Sequence, residues 1–331
     1  MTKWGIAGTG MIARAFAASI KDSKNSKLKY VASRSEENSS RFAKKYGCEA
    51  VKGYQNLFNL DDCEAIYIAT PHPQHFELAL NSLQKGKAVL CEKPMTMNST
   101  EAMILIEAAR KNNTLFMEAF MYRTHPQTQK IREIIKDYFS EEPLEIEASF
   151  GFEADVPEEH RLVNPELGGG SILDIGCYPM SMSRMIVGIQ EGKSFSNPIN
   201  LDSEGVLSKN NIDLYAKAKL DFSNGSKAHI SSSINKVLPN KVIIKNRKTK
   251  LEILEPWRCG EDVGRTSLMT LTHEGTKEEI NFNESIGIFT FEIDHFSEVL
   301  LSDSLESNLV SHSDSHGNMI WLDAWRKSIG V

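Results

Sequence analysis

The chain predicts an α/β protein of two parts. A doubly wound parallel sheet occupies residues 1–121, and an α+β domain built on a large, mostly antiparallel open sheet occupies residues 122–331. Three observations predict it. A short apolar strand runs at once into Gly8-Thr9-Gly10-Met11-Ile12-Ala13 and an apolar helical pattern. Strand-like apolar runs then alternate with helical stretches, the mark of parallel strands joined by crossover helices. After residue 121 that pattern stops, and period-two alternation replaces it. The length of 331 residues favours two domains as well.

In order, residues 3–7 form the first strand and residues 27–33 the second, followed by a helix over 36–46 stopped at Gly47. The continuous run Ala65-Ile66-Tyr67-Ile68-Ala69-Thr70 suits a parallel strand covered on both faces. A helix over 76–85 leads to a strand over 87–91. Asn98 and Glu101 then have the spacing of a capping box opening a helix over 99–112, and residues 115–120 close the alternation.

In the second half a helix is expected near 126–139 and a strand over 144–152. Residues 212–222 and 227–234, separated by Ser223-Asn224-Gly225, read as a hairpin. Further strands are expected at 241–246, 250–254 and 277–282, and helices at 288–301 and 314–329.

Composition is that of a soluble globular protein, 40% hydrophobic and 25% charged, with a formal net charge of −6. That balance gives no overall drive toward nucleic acid or an anionic membrane. No run of about 18 apolar residues is present to span a bilayer. Five cysteines without paired spacing, Cys48, Cys63, Cys91, Cys177 and Cys259, indicate neither a disulfide framework nor a zinc site, so no metal is expected and a cytoplasmic location is.

The glycine loop lies between a strand and a helix inside a strand-helix-strand unit, the context that marks a dinucleotide-binding Rossmann domain. Gly8, Thr9, Gly10, Met11 and Ile12 would bring backbone amides and a helix N-terminus to a pyrophosphate, with Ala13 allowing close packing. At the end of the second strand, where an NAD site usually carries a carboxylate, stands Ser33-Arg34-Ser35. A guanidinium among hydroxyls suits a 2′-phosphate, so NADP is expected over NAD.

Ligands of such sheets bind beyond the carboxyl ends of the strands. Thr70, Pro71, His72, His75, Glu92, Lys93 and Glu118 all fall there, and Lys93 precedes a proline to which a cis bond is open. In the second half Gly168-Gly169-Gly170 precedes Ser171-Ile172-Leu173-Asp174-Ile175-Gly176-Cys177-Tyr178. If Ser171 caps a helix, Asp174 and Tyr178 share a face, although Pro179 should kink it. The glycines permit close backbone approach to a ligand or another strand.

These residues carry a resemblance. The glycine loop, Thr70-Pro71 with His75, Glu92-Lys93-Pro94, Glu118-Ala119-Phe120-Met121-Tyr122-Arg123 and Gly169-Gly170-Ser171-Ile172-Leu173-Asp174-Ile175-Gly176-Cys177-Tyr178-Pro179 together resemble the family of glucose-fructose oxidoreductase, inositol dehydrogenase and rhizopine catabolism proteins, over the whole chain. Within it, Pro71-His72-Pro73-Gln74-His75 and the tyrosine at 178 resemble the dimeric dihydrodiol dehydrogenase and NADP-dependent D-xylose dehydrogenase branch. Inositol dehydrogenases typically carry histidine at the position of Tyr178.

The resemblance implies an NADP-dependent dehydrogenase or reductase acting on a sugar or polyol, with aldose oxidation at C1 to a lactone as one form. Tyr178 would be the acid/base, Lys93 would supply a positive charge that eases its deprotonation, and Asp174 would hold substrate or catalytic side chain. Arg123 and His125 would edge the substrate. The resemblance also implies a homodimer or homotetramer formed through the second sheet. Alternatives are a trans-dihydrodiol dehydrogenase or dicarbonyl reductase, a dismutase that retains its NADP, and a non-catalytic dinucleotide-binding sugar sensor.

Overall fold

The computed structural model describes residues 1–260 and 266–331. They form two compact units, residues 1–124 with 286–316, and residues 125–285 with 317–331. The division expected at 121/122 therefore falls short of 124/125 and misses two further crossings, at 285/286 and 316/317. Helix Ile288–Leu301 packs in the first unit, where Phe296 lies 4.8 Å from Trp4, ring to ring, so the second unit is not the unbroken 122–331.

The first unit is a six-stranded parallel sheet. Its elements are β1 (Thr2–Ala7), α1 (Met11–Ser19), β2 (Ser26–Ser33), α2 (Glu36–Tyr46), β3 (Glu49–Lys52), α3 (Tyr54–Phe58), β4 (Ala65–Ile68), α4 (His75–Gln84), β5 (Ala88–Glu92), α5 (Ser99–Lys111) and β6 (Phe116–Ala119). The strand order is β3-β2-β1-β4-β5-β6, so the chain reverses direction of travel across the sheet between β1 and β4. The carboxyl ends of those two strands make the crevice where such sheets bind ligands. β3 and α3 were not expected; β3 is a short edge strand whose residues are exposed or half-buried and carry no apolar run. Trp4, Phe16 and Tyr67 build the core, with Phe16 and Tyr67 stacked at 3.9 Å.

In the second unit, α6 (Pro126–Tyr138) is followed by β7 (Glu145–Gly151) and, later, by α7 (Cys177–Gln190). The remaining strands are β8 (Asn200–Leu207), β9 (Asp213–Asp221), β10 (Lys227–Ser233), β11 (Val242–Lys245), β12 (Thr249–Ile253), β13 (Ser267–His273) and β14 (Thr276–Phe282). They form one sheet in the order β14-β13-β12-β11-β7-β10-β9-β8, antiparallel except for the β7–β10 pair. The expected hairpin is β9–β10, turning through Ser223-Asn224-Gly225. β8 and β13 were not expected.

Alternation sorts this sheet into two faces. Ile146, Ala148, Ala216, Ala218, Ala228, Ile230, Val242 and Ile244 are buried, and α7 packs against β7 and β10. The other face carries Glu147, Lys217, Lys219, His229 and Lys241 around a groove of about 580 Å³. Among the described residues no helix is long and apolar enough to cross a membrane.

Candidate active site

At the end of β1, Gly8 has φ +122°, and a Cβ there would lie 2.4 Å from the Ala69 carbonyl oxygen just past β4. Only glycine tolerates both the backbone conformation and the approach. Gly10 caps α1 without a side-chain hydrogen bond, and a Cβ on Gly10 would meet nothing within 4 Å. The first amides of that helix, at the positive end of the helix dipole and facing open space, are what a pyrophosphate requires. Beside the loop, the Thr70 Oγ1 atom is buried without a hydrogen-bond partner. The residues present thus fit a dinucleotide. Met11 stands 79% exposed at the first position of α1, next to the same opening.

At the end of β2, Arg34 is exposed and makes no ion pair among the described residues, with Tyr54 close beside it. Ser35 does not share its role, because its hydroxyl caps α2 by accepting from the Asn38 amide at 3.2 Å. The nearest carboxylate, Glu36, pairs with Lys52. An unopposed guanidinium is left at the strand end.

The ends of β4 and β5 are tied together through His75, at the start of α4. One ring nitrogen lies 2.8 Å from the Thr70 carbonyl oxygen and the other 2.9 Å from that of Pro94. The ring is fully buried, and burial lowers its pKa below the ordinary value. His75, expected to touch the cofactor, is instead a strut with both nitrogens occupied by backbone. His72 is buried in the turn before it, its ring 5.7 Å from that of His75.

Lys93 is half-buried and joined to Pro94 by a cis peptide bond. Glu92, the last residue of β5, accepts a hydrogen bond from the Tyr67 hydroxyl. Met95, two residues past Lys93, donates its amide to Glu118 Oε1 at 3.0 Å. Burial pushes the Glu118 carboxyl up to about 7. Lys93 therefore stands on a short segment pinned on its far side by His75 and Glu118.

Two expected substrate contacts are enclosed instead. Arg123 is fully buried, its Nη2 2.5 Å from Asp314 Oδ2 and 2.8 Å from the Leu309 carbonyl oxygen, which makes it an interior anchor of the first unit. His125 is 2% exposed, and its Nδ1 accepts from the Gln127 amide at 3.1 Å, capping α6. Burial pulls its pKa down to about 4, so near neutral pH the ring is uncharged. Both side chains meet interior needs that motif spacing does not reveal.

In the second unit Ser171 precedes the helical segment but makes no side-chain cap. Its hydroxyl bonds Asp213 Oδ2 and Ser232 Oγ, each at 2.9 Å. Residues Ile172–Gly176 form a wide turn leading into α7. That turn ends three residues before Pro179, whose ring excludes the carbonyl four residues back, that of Ile175 within the turn, from α-helical bonding. The kink expected at Pro179 takes this form. Asp174 lies in the wide turn and Tyr178 in the first turn of α7, both largely buried. The phenol ring has Phe150 at 5.3 Å and Trp257 at 5.8 Å, and Trp257 is itself fixed by donating Nε1 to the Ser149 carbonyl at 2.9 Å. Arg161 donates Nη1 to Asp174 Oδ1 at 3.0 Å. Neither Arg161 nor Trp257 was singled out beforehand: one lies in a polar loop and the other in a stretch without period. Among the described residues no cluster of three or more His, Cys, Asp or Glu is placed to hold a metal ion.

Residues 2–120 match the family model described as "Oxidoreductase family, NAD-binding Rossmann fold", and residues 128–253 match the GFO/IDH/MocA C-terminal domain. The chain is 32% identical to the trans-1,2-dihydrobenzene-1,2-diol dehydrogenase of Xenopus laevis over 336 residues, covering 100% of this chain and 98% of the relative.

The chain belongs to the GFO/IDH/MocA oxidoreductase family.

Other family members agree with that assignment. The mouse (Mus musculus) trans-1,2-dihydrobenzene-1,2-diol dehydrogenase is 29% identical over 332 residues, 99% of this chain and 97% of its own. Two crystal structures share the fold over 99% of this chain. One is a 3-ketoreductase from Actinomadura kijaniata with NADP and TDP-benzene, with TM-score 0.87, 23% identity and 98% of that chain covered. The other is an aldose-aldose oxidoreductase from Caulobacter crescentus with glycerol, with TM-score 0.88, 20% identity and 97% covered. The GFO/IDH/MocA fold accounts for both sheets, and the protein is an oxidoreductase with an NAD-binding Rossmann domain.

Proposed function

We propose that the protein is an NADP-dependent oxidoreductase that interconverts a hydroxyl and a carbonyl on a sugar or polyol, including oxidation of an aldose at C1 to its lactone. The observation that carries the reading is the phenol of Tyr178 held by Phe150 and Trp257, one turn beyond an aspartate. A phenol so enclosed, with a carboxylate four residues before it in the chain, is suited to moving a proton. Bound NADP supplies the hydride acceptor and donor.

The chain's own residues do the rest. The uncapped amides of α1 and Thr70 receive the dinucleotide, and Arg34 with Ser33 receives its 2′-phosphate. Thr9, Ile12, Pro71, His72 and Glu92 line the same nucleotide site in this reading. Tyr178 takes the proton from the substrate hydroxyl in oxidation and returns it in reduction. Lys93 contributes positive charge that favours the ionised phenol and donates a hydrogen bond to the substrate oxygen, and Asp174 orients the hydroxyl.

A second reading is oxidation of a trans-dihydrodiol or reduction of a dicarbonyl. The full-length likeness to trans-1,2-dihydrobenzene-1,2-diol dehydrogenases favours it, and the aromatic pair beside Tyr178 suits a flat carbocyclic diol. The second unit is assigned to substrate binding. The open face of its sheet, with alternating lysines and glutamates around a groove, is assigned to a dimer or tetramer contact. Five cysteines, none of them in a disulfide, suit a reducing cytoplasm.

The test is turnover of aldoses, polyols, trans-dihydrodiols and dicarbonyls with NADP or NAD, followed at the nicotinamide absorbance. Turnover confined to one class selects between the two readings. Tight NADP binding with no turnover of any of them overturns both and leaves a dinucleotide-binding sensor.

A further inference from the structure

The glycine run before Asp174 grips the chain's own backbone. The Gly169 amide donates to the Asn164 carbonyl and the Gly170 amide to the Leu162 carbonyl, each at 3.0 Å. A Cβ on Gly169 would stand 2.8 to 3.0 Å from the carbonyl oxygens of Leu162, Asn164 and Arg161, so only glycine permits this approach. Gly170, at φ +118°, abuts the Asp213 carboxylate. Asp213 in turn accepts from the Ile172 amide at 2.6 Å and from the Ser171 hydroxyl, fixing the entry to the wide turn.

The clasp has one chemical result. It delivers the guanidinium of Arg161 to the carboxylate of Asp174, at 3.0 Å. The two side chains are unequal in exposure: Asp174 is 7% exposed and Arg161 43%. A carboxylate so nearly buried is costly without a cation, while the arginine reaches it from a solvated loop and remains partly free to hydrate. Two glycines that no other residue could replace, a buried aspartate and a loop arginine are thus brought together at this contact.

We propose that Arg161 is a positioning residue, which holds the Asp174 carboxylate aimed so that Asp174 can accept a hydrogen bond from the substrate hydroxyl. This rests on the role assigned to Asp174 above. Arg161 acts through Asp174 and touches neither cofactor nor reacting atoms.

The test compares wild type, R161A, R161K, D174N and the R161A/D174N double variant, with the best substrate of the panel and with NADP binding measured separately. R161A is expected to raise KM about tenfold, the effect of one charge-assisted hydrogen bond, with kcat within about threefold. R161K should restore KM to within about threefold of wild type, because it returns the charge. The double variant should be no worse than D174N alone, since arginine without its aspartate has nothing to position. NADP affinity should be unchanged in all of them.

An R161A enzyme with wild-type KM overturns the proposal. So does an R161A loss that multiplies in full with that of D174N, because the arginine would then act on its own. A wild-type protein that turns over nothing in the panel overturns the reaction assigned to the site, and the positioning role with it. Turnover by wild type and R161A alike removes the positioning role alone.

Discussion

The amide of Met95 donates to the carboxyl of Glu118 at 3.0 Å, and that bond secures the chain two residues past Lys93. Glu118 is 1% exposed, near the buried Arg123–Asp314 pair, and burial raises its pKa from 4.5 to about 7. A carboxyl whose pKa is raised on folding keeps its proton in the native state while the unfolded chain has already released it. Its stabilising contribution is complete below about pH 4.5 and is lost as pH rises to about 7. At about 1.4 kcal/mol for each pH unit, the loss amounts to about 3 kcal/mol. E118Q keeps an acceptor for Met95 and does not titrate. Urea unfolding at pH 5 and pH 8 should therefore show a smaller drop for E118Q than for wild type; equal drops would remove Glu118 as the cause.

His125 has the opposite sign. Burial lowers its pKa from 6.5 to about 4, so the native state resists a proton that the unfolded chain accepts. The stability this confers is complete above about pH 6.5 and falls away as pH drops toward 4. Protonation would also put a hydrogen on Nδ1, which now accepts from the Gln127 amide. H125N retains a good cap and has no proton to gain. Its melting temperature is expected to fall less than that of wild type between pH 7 and pH 4.5, and parallel curves would contradict this account.

For the chemistry, Y178F and K93M should each lower kcat about 10²- to 10⁴-fold while leaving NADP affinity within about threefold. Single-turnover kinetics with a saturating substrate would measure it. Near-normal turnover in Y178F would take the acid/base role from Tyr178. Weakened NADP binding in K93M with unchanged kcat would move Lys93 from the chemistry to the cofactor site.

In the proposed reading, cofactor choice turns on Arg34. R34A should weaken NADP about ten- to a hundredfold and leave NAD nearly unchanged, since only the 2′-phosphate would meet the guanidinium. Titration of nicotinamide fluorescence with both reduced cofactors reads the ratio. An equal loss for both would mean that Arg34 does not discriminate.

Local pattern sufficed for much of this molecule. Gly8 and Gly10 are legible because a tight turn after a strand admits few residues, and the parallel strands are legible because burial on both faces demands continuous apolar runs such as Ala65–Ile68. The helix expected at 288–301 appears as Ile288–Leu301. β3 and β8 escaped notice because edge strands with mostly exposed residues carry little apolar periodicity; β13 is interior, but its buried positions are Ser267, Met269 and Leu271, a mixed set beside the outward Leu268 that blurs the alternation.

Which of these polar side chains are consumed inside was decided by contacts between residues distant in sequence. Arg123 finds Asp314 191 positions away, and His75 reaches Pro94 across to the next strand, so neither reads differently from a ligand-binding residue in the linear chain. The return of residues 286–316 to the first unit has the same origin, since an apolar helix face does not name its partner. Short-range sterics and hydrophobic period wrote the glycine loop, the strands and the helices into the order of residues. Burial and long-range hydrogen bonding, which exist only once the chain has closed on itself, assigned His75, Arg123 and His125 to the framework and brought Arg161 to Asp174.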